Sequence, residues 1–341
     1  MNIFWILMIV IGMLTSIIVL LVLSFFIFER VKNYRNLNLK PKVVEIEPIL
    51  KNEYNEKLVN DSLEKLNNLE GLFQVKSEIE ELVKLIKYDI DEGESNSKNA
   101  SNHMVFFGNP GTGKTTAARI IADIYKGLGI LEKGHLVEVD RSSLVAQFIG
   151  HTAIKTKEKI EESLGGILFI DEAYNLIGRG EQDFGIEAID VLLKMMEDRR
   201  GEFIVIVAGY EKLMTDFLSS NPGLSSRFDK ILKFEDHSSD ELMKVCQDLF
   251  NDINKILTEE AQTILFRYIE HISSNRTIGF GNSREIRKIV NEVLKNQKLR
   301  LASIDKSERT EELKSTITKE DVSEFSQLEI KSSKQIGYYS K

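Results

Sequence analysis

Gly108-Asn109-Pro110-Gly111-Thr112-Gly113-Lys114-Thr115 fits the pattern G-x-x-x-x-G-K-[ST] of a phosphate-binding P-loop. The residues before it, His103-Met104-Val105-Phe106-Phe107, read as a short buried strand. Those after it, Thr116-Ala117-Ala118-Arg119-Ile120-Ile121-Ala122, read as a helix, which completes the setting the motif requires. The glycines let the backbone turn its N–H groups toward phosphate oxygens, and the helix N-terminus adds partial positive charge at the same point. Gly108 through Thr116 thus form a nucleotide cradle, with Lys114 facing the β- and γ-phosphates and the Thr115 hydroxyl available to Mg²⁺. Four such positions coincide by chance in about one chain in 100 of this length, so an ordinary glycine turn is a weak competitor.

A second signature follows further on. Gly165-Gly166 introduces Ile167-Leu168-Phe169-Ile170-Asp171-Glu172, an apolar strand ending in two acids. Carboxylates at the C-terminal end of a strand beside a P-loop sit where the nucleotide's metal and water belong. Asp171 then serves Mg²⁺, and Glu172 orients and polarises the attacking water. Without the P-loop, an acidic strand end at a solvated edge would be the simpler reading.

Further strands are expected at Leu136-Val137-Glu138-Val139, at Phe203 to Ala208 (ending at Gly209-Tyr210) and at Ile231 to Phe234. With the two strands above, strands alternate with helices, which predicts an α/β fold whose five-stranded parallel sheet is covered on both faces. A helix is expected over Leu72 to Ile86, and Gly93 to Asn102 reads as a loop. After Glu235 only helical patterns remain, roughly Ser239–Phe250, Thr258–Ile272 and Ser283–Leu301. The predicted organisation is a large ATPase subdomain over 63–235, an all-α lid over 236–330 and a tail over 331–341.

From Ile3 to Phe28 there is no charged side chain. As a helix the run would be about 39 Å long against a hydrocarbon core of about 30 Å, so one N-terminal transmembrane helix over 3–28 is expected. A cleaved signal peptide fits less well, since no Lys or Arg precedes the run and no A-x-A site closes it. Arg30, Lys32, Arg35, Lys40 and Lys42 follow the span, which places the C-terminal bulk in the cytoplasm on a single-pass protein of the cell membrane. Residues 29–62 read as a juxtamembrane linker. The 341-residue chain carries a formal net charge of −8, so no global basic field gathers nucleic acid. Its one cysteine, Cys246, lies among apolar helical residues and reads as packing in a reducing compartment.

Taken together these motifs resemble the AAA+ ATPases, in particular the group containing red-type rubisco activase and stage V sporulation protein K. The resemblance runs from about Leu66 to Asp321 and is carried by Asn68-Leu69-Glu70-Gly71-Leu72-Phe73-Gln74-Val75-Lys76, the P-loop, Phe148-Ile149-Gly150-His151-Thr152-Ala153, Phe169-Ile170-Asp171-Glu172-Ala173-Tyr174, Asn221-Pro222-Gly223-Leu224-Ser225-Ser226-Arg227-Phe228 and Gly281-Asn282-Ser283-Arg284-Glu285-Ile286-Arg287. It implies an AAA+ P-loop core with a helical lid, ATP and Mg²⁺ as cofactors, and a ring of identical subunits, typically a hexamer. By the same resemblance Arg227 is an arginine finger that reaches a nucleotide on the neighbouring subunit, Arg284 is the sensor 2 arginine of the lid, and Phe148, Ile149 and Gly150 form a pore loop. For Arg227 a structural arginine paired with an acid is the plainer alternative. Two positions depart from the family pattern: Gly209-Tyr210 stands where a polar sensor 1 residue is usual, and Ser225 where a second arginine is common.

The expectation is therefore a membrane-anchored ring ATPase that remodels or partly threads a protein client. The alternatives are an ATP-gated membrane scaffold whose hydrolysis only resets the complex, and a small-molecule kinase using the same loop.

Overall fold

A computed structural model describes residues 54–92, 102–148, 150–177, 183–228, 230–276 and 279–326. The expected transmembrane helix at 3–28, the linker up to residue 53, the tail at 331–341 and Ile149 of the expected pore loop lie outside the described residues. Among the described residues no helix is long and apolar enough to cross a membrane.

The chain enters through α1 (Glu56–Asn67) and α2 (Phe73–Asp91), then builds β1 (Met104–Gly108), α3 (Lys114–Gly127), β2 (Leu136–Val139), α4 (Arg141–Leu144) and α5 (His151–Glu162). After β3 (Ile167–Ile170) comes a single 3-10 turn, Ala173–Leu176, then α6 (Gly185–Asp198), β4 (Ile204–Gly209), α7 (Glu211–Ser219), α8 (Pro222–Ser225) and β5 (Lys230–Phe234). The five strands form one parallel sheet in the order β2-β3-β4-β1-β5.

Alternate strand residues face opposite sides of the sheet, and both sides are buried. Phe106, Phe169, Ile206 and Leu232 pack under Val59, Ile79 and Ile121 of α1, α2 and α3. Val105, Leu168, Val205 and Val207 pack on the other side against Leu192, Met196 and Phe217 of α6 and α7. Parallel register aligns the strand ends that matter, since Phe107 pairs with Gly209 and Ile170 with Val207. The P-loop after β1, Asp171 after β3 and the end of β4 therefore come out on one edge.

Helix α1 corrects the expected linker boundary at residue 62. Asn55 accepts a hydrogen bond from the Leu58 N–H at 3.0 Å and caps a helix that begins well inside the assigned linker. Its apolar residues are few, but Val59 and Leu66 are fully buried. Val59 sits so close to α3 that a Cβ at Gly127 would lie 2.7 Å from its Cγ2.

The lid consists of α9 (Ser239–Asn251), β6 (Ile256–Leu257), α10 (Glu259–Ser274), α11 (Ser283–Ala302), a turn at Lys306–Glu308, α12 (Glu311–Ser315), β7 (Thr316–Ile317) and a 3-10 segment, Lys319–Ser326. Ser238 and Glu241 close a capping box on α9. The lid is helical around one core that includes Leu242, Cys246, Leu265, Ile286 and Val293, with one departure from all-α: β6 and β7 form a two-residue parallel pair. The buried Asp321 receives the Arg300 guanidinium at 2.8 and 2.9 Å and fastens the last segment to α11. Burial pushes the Cys246 thiol up to about 12, which keeps it protonated and inert.

Candidate functional site

A cleft of about 430 Å³ opens between the sheet edge and the lid, within the size range of small-molecule sites. One wall is the P-loop, from which Gly108 and Pro110 through Thr116 reach the cleft, and Asp171 and Glu172 line it from the end of β3 on the same sheet edge. Arg284 and Arg287 come from the first turns of α11, and Asn68, Leu69 and Leu72 come from the α1–α2 connection. His237, Val245, Asp248, Leu249 and Asp252 close the remaining side from the lid. The Lys76 ammonium shapes the connection by donating to the carbonyls of Asn67 and Leu69.

The basic end of the cleft suits a polyphosphate. Lys114 donates to the Gly108 and Asn109 carbonyls at 2.8 and 2.7 Å, so its ammonium is already held at the loop's mouth. Burial draws it down to about 8, against the opposing pull of Asp171. Phosphate oxygens brought to this point would restore the charge that burial penalises. Helix α3 begins here behind Gly113, which has φ +92°, and its first N–H groups give the charge a backbone complement. The Thr115 hydroxyl and the Asp171 carboxylate are among the oxygens that line this end of the cleft.

The P-loop is also tied to the lid, and this was not read from the sequence. Asn109, expected among the nucleotide ligands, turns its side chain away and donates to both oxygens of Asp236 at 3.0 and 2.9 Å. Asp236 accepts a further bond from Asn282 at 2.7 Å and pairs with Arg276 at 3.3 Å. Asn282 in turn accepts the His237 N–H at 3.1 Å. Gly111, at φ +72°, is the point of closest approach, where a Cβ would lie 2.1 Å from the Gly281 carbonyl oxygen. Only glycine meets both demands.

The hydrolytic side is held by the 3-10 turn after β3. The Glu172 backbone is left-handed, at φ +50°, and its carboxylate accepts a bond from the Asn175 amide at 3.0 Å. Burial, then the neighbouring Glu172 carboxylate and a hydrogen bond to it, raise the Tyr174 phenol well above its ordinary range.

Arg227 stands elsewhere. Its guanidinium meets Glu197 at 3.5 Å and the Gly223 carbonyl at 3.4 Å, in a small separate cavity with His103, Arg200 and Phe203. Burial, followed by the charges of Arg227 and Arg200, pushes the His103 imidazole down to about 4. Phe148 is 70% exposed, and Gly150 follows at φ +79° as the residue before α5.

The model of the ATPase family associated with various cellular activities (AAA) matches residues 104–236, and that of the AAA lid domain matches residues 238–332. Stage V sporulation protein K of Bacillus subtilis is 41% identical over 276 residues, which cover 80% of this chain and 85% of that protein. Protein CbbX of Cereibacter sphaeroides is 40% identical over 277 residues, 80% of this chain and 89% of its own. The chloroplastic ribulose bisphosphate carboxylase/oxygenase activase of Cyanidioschyzon merolae is 38% identical over 277 residues, 80% of this chain and 94% of its own. Among solved structures the FIGL-1 AAA domain shares the fold at TM-score 0.53 and 19% identity, over 82% of this chain and 91% of that one.

Proposed function

The chain belongs to the AAA family of ATPases, beside stage V sporulation protein K and CbbX, and hydrolyses ATP; from that premise we propose that it works as a membrane-anchored ring, remodelling a protein client with energy released at subunit boundaries. The observation that carries the reading is the separation of Arg227 from the cleft of its own chain. A P-loop, two acids, Arg284 and Arg287 gather in one protomer, while Arg227 rests on Glu197. Arg227 of one copy then completes the site of the next, supplying positive charge as the γ-phosphoryl develops negative charge, an effect worth about 10³-fold or more in comparable enzymes.

Within one subunit the roles are distinct. Gly108 and Pro110 through Thr116 bind the phosphates, Lys114 and Arg284 neutralise them, and Thr115 and Asp171 serve the Mg²⁺ that accompanies ATP. Glu172 polarises the attacking water. The exposed Phe148, with Ile149 and Gly150, grips the client. Motion reaches this loop through Arg141, whose guanidinium holds the Asn175 carbonyl at 2.6 Å and Asp183 at 2.7 Å, and which opens α4, the short helix that ends four residues before Phe148. The uncharged run from Ile3 to Phe28 anchors the ring, with the ATPase on the cytoplasmic side.

Two relatives bear names tied to different biology, rubisco activation and sporulation, so what the group has in common is the engine. The test is to replace Glu172 by Gln in cells. A remodelling enzyme frozen with ATP bound loses its cellular role and retains its client, whereas a scaffold keeps the role. Deleting residues 1–28 should release the protein from vesicles, and continued sedimentation with lipid would contradict the anchor.

A further inference from the structure

We propose that Tyr174 and Asn175 are positioning residues that hold the Glu172 carboxylate in the orientation for polarising water, and that Gly209 is the space that admits the tyrosine ring. The inference rests on the reading of Glu172 as the water-polarising carboxylate. Four observations carry it.

Asn175 donates its amide to Glu172 Oε2 at 3.0 Å, and its backbone N–H reaches the Glu172 carbonyl at 2.9 Å. A carboxylate on a flexible stem has little reason to point in one direction in a solvated cleft, and a fixed donor on one oxygen leaves the other to water. Second, the ring of Tyr174 occupies the end of β4. A Cβ at Gly209 would lie 2.7 Å from Tyr174 Cδ1 and 2.8 Å from Cε1, so any larger residue there displaces the ring. Tyr210 stands beside it, with ring centroids 6.1 Å apart. The end of β4 thus contributes no polar side chain from Gly209 and makes room for a phenol from the neighbouring turn. Burial, then the Glu172 carboxylate beside it, raises the Tyr174 phenol above its ordinary range, so the phenol and the carboxylate share one small neighbourhood.

Third, the turn is braced against movement. Arg141 donates to the Asn175 carbonyl at 2.6 Å and is itself fixed by Asp183 at 2.7 Å. Gly185 closes from behind, where a Cβ would come within 2.0 Å of the Leu176 carbonyl oxygen. Fourth, Glu172 keeps a left-handed backbone at φ +50°, a conformation that a non-glycine residue holds only when its surroundings fix it. Its N–H donates to Asp171 Oδ1 at 3.1 Å, one more contact that fixes this backbone.

The experiment compares Tyr174→Phe, Asn175→Ala and Glu172→Gln in the full chain, singly and with each positioning variant combined with Glu172→Gln. Phosphate release gives kcat and KM, and a fluorescent ATP analogue gives affinity. Tyr174→Phe keeps the ring that fills the space over Gly209, so folding is retained. The expected result is a fall in kcat of about 10-fold for each positioning variant, the effect of one hydrogen bond to a charged group, with nucleotide affinity unchanged within about 2-fold. In the Glu172→Gln background neither variant should lower the residual rate further. Wild-type or raised turnover in both positioning variants, with Glu172→Gln inactive, overturns this inference alone. So does the same 10-fold loss in the Glu172→Gln background, because the residues would then act elsewhere. Wild-type turnover in Glu172→Gln overturns the reading of Glu172 and this inference with it.

Discussion

The Asn109 amide of the P-loop donates to both carboxylate oxygens of Asp236, at 3.0 and 2.9 Å, and so ties the nucleotide loop to the residue at which the ATPase subdomain passes into the lid. The same carboxylate collects Asn282 and Arg276 from the lid, so one acid senses both halves of the cleft. Asp236→Ala leaves two amides and a guanidinium without their acceptor. The expected cost is about 2 kcal/mol of stability, measured by the denaturant midpoint, with ATP affinity lowered about 10-fold as the P-loop loses its brace. An unchanged midpoint and an unchanged affinity would show the brace to be idle.

Lys114 gives the protein a pH signature. Its folded ammonium titrates near 8 because of burial, whereas in the unfolded chain it titrates near 10.5. Between those values the unfolded chain binds more protons, so the stability of the nucleotide-free protein should rise as pH climbs from about 8 to about 10.5. ATP affinity should move the opposite way over the same interval, since the phosphates need the charged form. Lys114→Met should flatten both trends in calorimetry and nucleotide titration.

Phe148 offers a cleaner separation of chemistry from work. At 70% exposure, with the His151 ring in edge contact at a centroid distance of 6.0 Å, its loss should change stability little. Phe148→Ala should hydrolyse ATP at the wild-type rate and fail to remodel its client. Full client activity in that variant would remove the loop from the mechanism.

Glu197 is the resting contact of Arg227 and should be dispensable for chemistry. The pair is partly exposed and contributes no more than about 1 kcal/mol. Glu197→Gln should leave phosphate release by the assembled protein within about 2-fold of wild type, while Arg227→Ala loses about 10³-fold with ATP still bound. A loss of ATP binding in Arg227→Ala would place the arginine in its own chain's site.

The sequence was most legible where chemistry imposes spacing. Gly108 to Thr115 must present N–H groups, a lysine and a hydroxyl to one phosphate chain, and Ile167–Glu172 must bring acids to the end of a strand, so both declare themselves locally. The strand order could not be read, because any β-α unit is compatible with more than one neighbour. Helix α1 was hidden by its polarity, since it buries little more than Val59 and Leu66, and its start is fixed by a capping asparagine while Val59 packs close on Gly127. The β6–β7 pair is too short to leave a pattern. The roles of Asn109 and Tyr174 were out of reach for another reason. Each depends on a partner distant in the chain, Asp236 for one and Gly209 for the other, and only the folded sheet brings them together. The glycine at the end of β4, which looked like a missing polar residue, turns out to be room for a ring.

Sharing of one active site between two copies of the chain is the central claim, and mixing two inactive variants tests it most directly. Arg227→Ala keeps its own acids and P-loop but offers no finger; Glu172→Gln keeps its finger but cannot activate water. Each alone should release almost no phosphate. Mixed and allowed to exchange subunits, they should recover turnover, because Glu172→Gln subunits lend Arg227 to the intact sites of their neighbours. A mixture as inactive as its components, with exchange demonstrated, would contradict the account.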